Sequence, residues 1–206
     1  QEAMELKELS SVKNVYRNEE VKALLEESVN QISADELWKL RDDNDNLITG
    51  KGITIGIIDT GVDYTHDDLG GCLGENCKVI DGYDFVNGDN DPKDDNGHGT
   101  HVAATAAGNG ILKGVAPDAK IVAYKVLNSG GSGSWSGVVK SIERSVDPNQ
   151  DGDFSDHLDI ISLSLGGSGD PDDPISTSID NAVNEGVIAV IAAGNSGPYE
   201  QSIGSP

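Results

Sequence analysis

Five short runs of apolar and β-branched residues, separated by stretches of helical periodicity, predict an α/β domain: a doubly wound, mainly parallel sheet with helices on both faces. Two further observations agree. The runs are too continuously apolar for a sheet with one wet face. The 26 glycines among 206 residues supply the turns and close backbone approaches that short crossovers need. The length suits one domain with at most an appendage.

Taken in order, the first ~30 residues are polar and charged. They hold a short alternation at Val12-Lys13-Asn14-Val15-Tyr16 and a helix-like stretch from Val21 to Val29. The pattern changes at Ile53. Strands are expected at Ile53–Ile58, Val79–Phe85, Lys120–Leu127, Asp159–Leu165 and Val187–Ala193. Helices fill the gaps: Ala-rich Thr100–Ala107; Trp135–Val146, with Val138, Val139, Ile142 and Val146 on one face; and Ile175–Asn184, repeating Ile175, Ile179, Ala182 and Val183. In such sheets, sites collect beyond the carboxyl ends of the strands. Asp59, Ser164–Gly167 and Gly194–Gly197 each follow a strand, so they should meet at one edge.

Charge narrows the partners. With 36 acids against 14 bases the chain carries −22, which argues against nucleic acid or an anionic membrane surface. Asp supplies 24 of the acids, a bias that suits tight turns and hard-cation ligation. No apolar run approaches the roughly 20 residues that span a bilayer. The chain opens at Gln1 without a charged n-region and apolar stretch, so no targeting segment is expected; Ile203-Gly204-Ser205-Pro206 carries no stop signal, so continuation in a longer protein is. Cys72 and Cys77, five apart, favour a small disulfide loop over free thiols and a secreted setting.

Three polar positions carry chemistry. Asp59, in Ile57-Ile58-Asp59-Thr60-Gly61, stands where a buried strand runs out. A turn-forming role is as natural as a functional one, but a buried carboxylate needs hydrogen bonds or a cation, and an imidazolium would serve. His98 and His101 lie in Asn96-Gly97-His98-Gly99-Thr100-His101-Val102-Ala103. No HExxH pattern or third ligand supports zinc. His98 is better read as a general base at a helix start, with His101 packed inward. Asn195, in Gly194-Asn195-Ser196-Gly197, is by itself a turn asparagine; beside Asp59 and His98 it becomes an amide donor for a developing oxyanion.

The chain resembles the subtilisin-like serine proteases. The resemblance is carried, in the family's order, by Asp59-Thr60-Gly61-Val62, Asn96–Ala103, Gly114-Val115-Ala116-Pro117, Ser164-Leu165-Gly166-Gly167 and Ala193-Gly194-Asn195-Ser196-Gly197, and spans about Ile32 to Pro206. It implies a serine endopeptidase working by acyl transfer, with Asp59 orienting His98, His98 as base and Asn195 as oxyanion donor. It also implies that a polypeptide substrate lies as an added strand between Gly131-Ser132-Gly133 and Ser164-Leu165-Gly166, with Trp135 bordering a subsite. The alternative for Trp135 is a core aromatic at a helix start.

One departure stands out: the family's nucleophile lies in a Gly-Thr-Ser-Met-Ala-type motif, and here the one methionine is Met4. The serine is therefore expected outside this chain, which by itself should be inactive and incomplete at its C-terminal side, the remainder of the protease being its partner. Residues 1–30 resemble a propeptide tail, an intramolecular inhibitor making the protein a zymogen, with Val12–Glu19 its last strand; a linker is the plain alternative. Residues 31–206 are the N-terminal part of the catalytic domain, with the junction between Leu24 and Gln31.

Asp147-Pro148-Asn149-Gln150-Asp151-Gly152-Asp153-Phe154-Ser155 follows a calcium-loop pattern, with Asp156 or Asp159 in place of the missing terminal Glu. Asp89–Asp95 is a weaker cation candidate, and the short Gly108–Gly114 lacks the calcium-loop insertion of many subtilisins. The combined expectation is a calcium-stabilised, secreted subtilisin-like endopeptidase. Its rivals are a peptide-binding pseudo-protease without a serine and, from Asp59-Thr60-Gly61, an aspartic protease.

Overall fold

The computed structural model describes residues 25–168, 170–198 and 200–206. The expected propeptide strand at Val12–Glu19 lies outside the described residues. Two short helices come first, α1 (Leu25–Gln31) and α2 (Ala34–Leu37). The buried Val29 and Ala34, and the Trp38 indole N–H donating to the Val115 carbonyl at 2.9 Å, fasten this segment to the domain.

Five strands follow, β1 (Thr54–Asp59), β2 (Val79–Asp84), β3 (Lys120–Lys125), β4 (Ile160–Leu163) and β5 (Ile188–Ile191), alternating with helices α3 (His98–Ala107), α4 (Trp135–Val146) and α5 (Pro174–Asn184). All five are parallel in the order β2-β3-β1-β4-β5. The chain starts in the middle, at β1, winds to one side through β2 and β3, and crosses to the other for β4 and β5. The strand order thus reverses beside β1, which puts a crevice at its carboxyl end.

The side-chain period of two explains why both faces are dry. Ile55 and Ile57 of β1, with Ile121 and Ala123 of β3, pack under Ala103 and Ala107 of α3. Ile58, Val122, Tyr124, Ile161 and Leu163 point the other way, against Val138 and Ile142 of α4 and Ile175 and Ile179 of α5. Each of the buried isoleucine, leucine and valine side chains contributes about 1.5–3 kcal/mol by leaving water. At the end of the sheet β5 differs: Ile188 is 59% and Val190 54% exposed, so one face of a β-branched strand stands uncovered.

Helix ends follow local chemistry. Ser134 accepts from the Gly137 amide at 3.2 Å and starts α4. Asp173 accepts from the Ile175 and Ser176 amides, 2.9 Å each, ahead of Pro174, so α5 begins one residue before the apolar period. α3 begins two residues earlier than the alanine run, at His98, because Gly97 turns at φ 105°. The strands β4 and β5 are shorter than their apolar runs, which continue as extended loops. Cys72 and Cys77 are joined as a disulfide, Cα atoms 5.7 Å apart. No helix among the described residues is long and apolar enough to cross a membrane.

Candidate active site

Asp59 is the last residue of β1 and wholly buried. Its backbone is held by the two residues just after β3, since the Val126 and Leu127 amides both donate to its carbonyl, at 2.9 and 3.1 Å. Its Oδ1 accepts from the Thr60 amide at 2.7 Å and meets His98 Nδ1 at 2.7 Å. Oδ2 is buried with no hydrogen-bond partner among the described residues. The pairing orients the imidazole: Nδ1–H donates to Asp59, and in the neutral ring this leaves the lone pair on Nε2. His98 is half exposed and lines a cavity of about 510 Å3.

Small residues permit this contact. Gly99 follows His98 where any Cβ would collide with the Gly61 carbonyl and press on the Asp59 Cβ at 3.1 Å. Its amide donates to Thr60 Oγ1 at 2.9 Å, and that hydroxyl donates to Asp94 Oδ1 at 2.9 Å. Asp94 gathers the rest of the turn: Oδ1 accepts from the Asn96 and Gly97 amides, 2.9 Å each, and Oδ2 from the Thr100 amide and hydroxyl at 2.9 and 2.6 Å. Partial burial pushes the Asp94 carboxyl up, but the Gly97 amide, the Thr100 side chain and the Asn96 and Thr100 amides outweigh it and hold it below the usual carboxylate range. As a member of Asp89–Asp95, Asp94 serves protein donors, and so does Asp95, which meets Lys125 Nζ at 2.5 Å.

The cavity beside His98 is walled by the residues expected to hold substrate: Gly131, Ser132, Gly133 and Trp135 on one side, Ser164, Leu165 and Gly166 on the other. The first wall is a hairpin closed by an antiparallel bridge between Leu127 and Gly133 and pinned by Asn128, whose side-chain oxygen accepts from the Gly130 and Ser132 amides at 2.9 and 3.2 Å. Asn96 ties it to the histidine loop by donating to the Ser129 carbonyl at 2.9 Å. The second wall continues β4, and beyond it Gly167 pairs antiparallel with Ser205 at 2.8 and 2.9 Å. Trp135 is 48% exposed on the cavity rim, which removes it from the core.

Asn195 is exposed and lines a neighbouring cavity of about 770 Å3, which shares Ser164–Ser168 with the first. The two cavities meet along the second wall. His101 is a correction: it is exposed, not packed inward. The inner face of α3 is Gly99, Ala103 and Ala107, and a residue two positions from Gly99 points away from it.

The Asp147–Asp156 loop leaves the far end of α4, roughly 18 Å along a 12-residue helix from the cavity-side Ser134. Asp147 accepts from the Asp151 and Gly152 amides at 3.1 and 3.0 Å, Asn149 from Asp151 at 2.9 Å, Asp151 from Asp153 at 2.8 Å and Asp153 from Ser155 at 3.0 Å. Asn149 donates to Asp156 at 2.7 Å. The oxygen donors suit a hard cation, and these local bonds leave oxygen lone pairs over. Among the described residues, however, no three His, Cys, Asp or Glu side chains are gathered closely enough to hold a metal ion.

Three residues have roles that no motif shows. Asp94 and Thr60 act through hydrogen bonds across 34 residues, and Lys125 ends an apolar strand with its ammonium buried. The one available signal for Lys125 was a lysine closing a continuous apolar run.

Comparisons with known proteins follow this geometry. The chain is 46% identical over 192 residues to the minor extracellular protease Vpr of Bacillus subtilis (strain 168), covering 88% of this chain and 22% of that protein. It is 38% identical to the serine protease AprX of the same organism, covering 98% and 45%. Among solved structures, Sphericase superposes with a TM-score of 0.66 at 37% identity, covering 84% of this chain and 55% of that one. A cold adapted subtilisin-like serine proteinase superposes with 0.62 at 34%, covering 79% and 55%. The chain thus spans about a fifth to just over half of the lengths of these relatives. With the family's sequence model matching residues 50–206 and its fold reproduced around a buried aspartate and its histidine, this chain belongs to the Subtilase family.

Proposed function

We propose that this chain is the N-terminal part of a secreted serine endopeptidase, contributing two members of an Asp-His-Ser triad while the serine lies outside it. The observation that carries the reading is the 2.7 Å contact of His98 Nδ1 with the buried Asp59, at the mouth of a cavity whose walls are two extended segments. Polypeptide would bind between Gly131–Gly133 and Ser164–Gly166 by main-chain hydrogen bonds, which are tolerant of sequence. The serine hydroxyl would attack the scissile carbonyl while His98 Nε2 takes its proton and later returns it to the leaving amine. Asp59 would steady the imidazolium without taking the proton. Asn195 would donate from the adjoining cavity to the oxyanion. The uncovered Ile188 and Val190 of β5 are where the remainder of the domain would pack.

Residues 1–30 would be a propeptide tail that occupies the cleft until it is removed, and residues 31–206 the start of the mature catalytic domain. One experiment reads both proposals: intact and peptide mass of the mature full-length protein after treatment with a fluorophosphonate probe. A single probe adduct on a serine beyond Pro206, in a polypeptide beginning between Leu24 and Gln31, is the expected result. A full-length protein with no reactive serine would leave a peptide-binding pseudo-protease, and inhibition by a pepstatin-type compound instead would mean an aspartic mechanism.

Calcium would be held by Asp147, Asn149, Asp151, Asp153 and Asp156, whose oxygens would have to close in around it, and it would supply no step of hydrolysis. Chelation of calcium should lower the melting temperature by several degrees, and an Asp151→Ala variant should be insensitive to the chelator. An equal melting temperature with and without calcium would remove this site.

A further inference from the structure

Lys125 closes β3 with its side chain 1% exposed. A buried ammonium is costly unless each of its three N–H donors is used. Lys125 uses all three, and each on a different segment. Nζ donates to the Thr60 carbonyl at 2.8 Å, to Asp95 Oδ1 at 2.5 Å and to the Leu127 carbonyl at 3.1 Å. Thr60 follows the triad aspartate, Asp95 lies three residues before His98, and Leu127 begins the hairpin that forms one wall of the cleft.

We infer that Lys125 is a positioning residue of the active site, a three-legged clamp that sets the Asp59–His98 contact and the near wall of the substrate cleft together. Register makes this possible: Lys125 stands directly beside Asp59 in the parallel pair of β1 and β3, so its stem passes under the loop the carboxylate opens. The Asp95 leg is the one that reaches the histidine. Without it, the turn leading to His98 would rest on Asp94 and on the Asn96 bond to Ser129. The other two legs satisfy the Thr60 and Leu127 carbonyls, just beyond the ends of β1 and β3. An apolar side chain of similar length would fill the space yet take the donor from the Thr60 and Leu127 carbonyls and release Asp95 to solvent. Arginine would bring a wider, planar head to a pocket arranged around a tetrahedral one.

This inference rests on the triad reading, so its test reads the His98–Asp59 hydrogen bond itself as well as turnover. In the full-length protein, that bond should give a far-downfield imidazole proton resonance, visible whether or not peptide is cleaved. In Lys125→Met the resonance should vanish or broaden while near-ultraviolet circular dichroism remains native. The kcat should fall at least tenfold, with a smaller change in KM. In Asp95→Ala, which removes one leg at a half-exposed site, the resonance should shift and kcat drop several-fold; Asp95→Asn, which keeps an acceptor oxygen, should restore both. A purely structural lysine would lower the melting temperature and leave the resonance and kcat of the folded variant alone, and that result overturns the inference. If Lys125→Met does not fold, Asp95→Ala decides, with unchanged resonance and kcat as the overturning outcome. If the wild type shows the resonance but cleaves no peptide, the proposed activity fails and the clamp is still judged by the resonance.

Discussion

His98→Ala in the full-length protein should lower kcat by a factor on the order of 10⁶, the scale found for the same removal in subtilisin. The reason is local. His98 is the first residue of α3, and its ring stands half exposed at the mouth of the cavity with Nδ1 bound to Asp59. No other described histidine lines that cavity. In the proposed mechanism, removing the ring would remove the proton acceptor for the attacking serine and the donor for the leaving amine at once. The fold should tolerate the change, because the helix start is held by Asp94 and by Gly99 on Thr60 rather than by the imidazole. The measurement is steady-state hydrolysis of a peptide substrate beside a melting curve. Activity within tenfold of wild type in a folded protein would sink the assignment of His98 as the base.

Asp59→Asn should cost about 10⁴ in kcat with a near-native melting temperature. Asparagine has the same outline, and its oxygen can still accept from the Thr60 amide and from His98. Its amide nitrogen, however, would occupy the place of Oδ2, which is buried and has no partner among the described residues. A buried donor left bare costs about 1–3 kcal/mol, so the side chain is driven to turn its nitrogen toward a partner. The ring nitrogen it would then face is Nδ1, which could no longer donate; the imidazole would flip to the tautomer with the proton on Nε2. That tautomer cannot take a proton from serine. Loss of the carboxylate charge also leaves the imidazolium unsupported. Imidazole 15N shifts separate the two causes, since the ratio of neutral tautomers does not change with pH: a proton on Nε2 would favour tautomer control, and a proton still on Nδ1 would favour lost charge. A kcat near wild type would mean that Asp59 is not the orienting group.

Much of the scaffold could be read from local pattern. A buried parallel strand needs apolar residues on both faces, so Thr54–Asp59 and Lys120–Lys125 announce themselves as continuous runs. The spacing of Val138, Ile142 and Val146 marks α4 for the same reason. The motifs at Asp59, His98 and Asn195 were visible because each breaks such a pattern at the end of an element.

Other features depended on distance along the chain. The Asp59–His98 contact joins residues 39 apart, and the Lys125 bond to Thr60 joins residues 65 apart. No periodicity encodes such pairs; they exist because β1 and β3 lie side by side and α3 returns over them. His101 shows the converse error. It is part of the same motif as His98, and only the seating of α3 on Gly99, Ala103 and Ala107 turns it to solvent. The sequence by itself determined the strands, the helices and the chemical types at the strand ends, since these follow from short-range periodicity and spacing. Only the tertiary structure decided which carboxylate is buried, which loop acids serve protein donors and which lysine lies beneath the site, because burial and hydrogen-bond partners are set by segments that are neighbours in space and strangers in sequence.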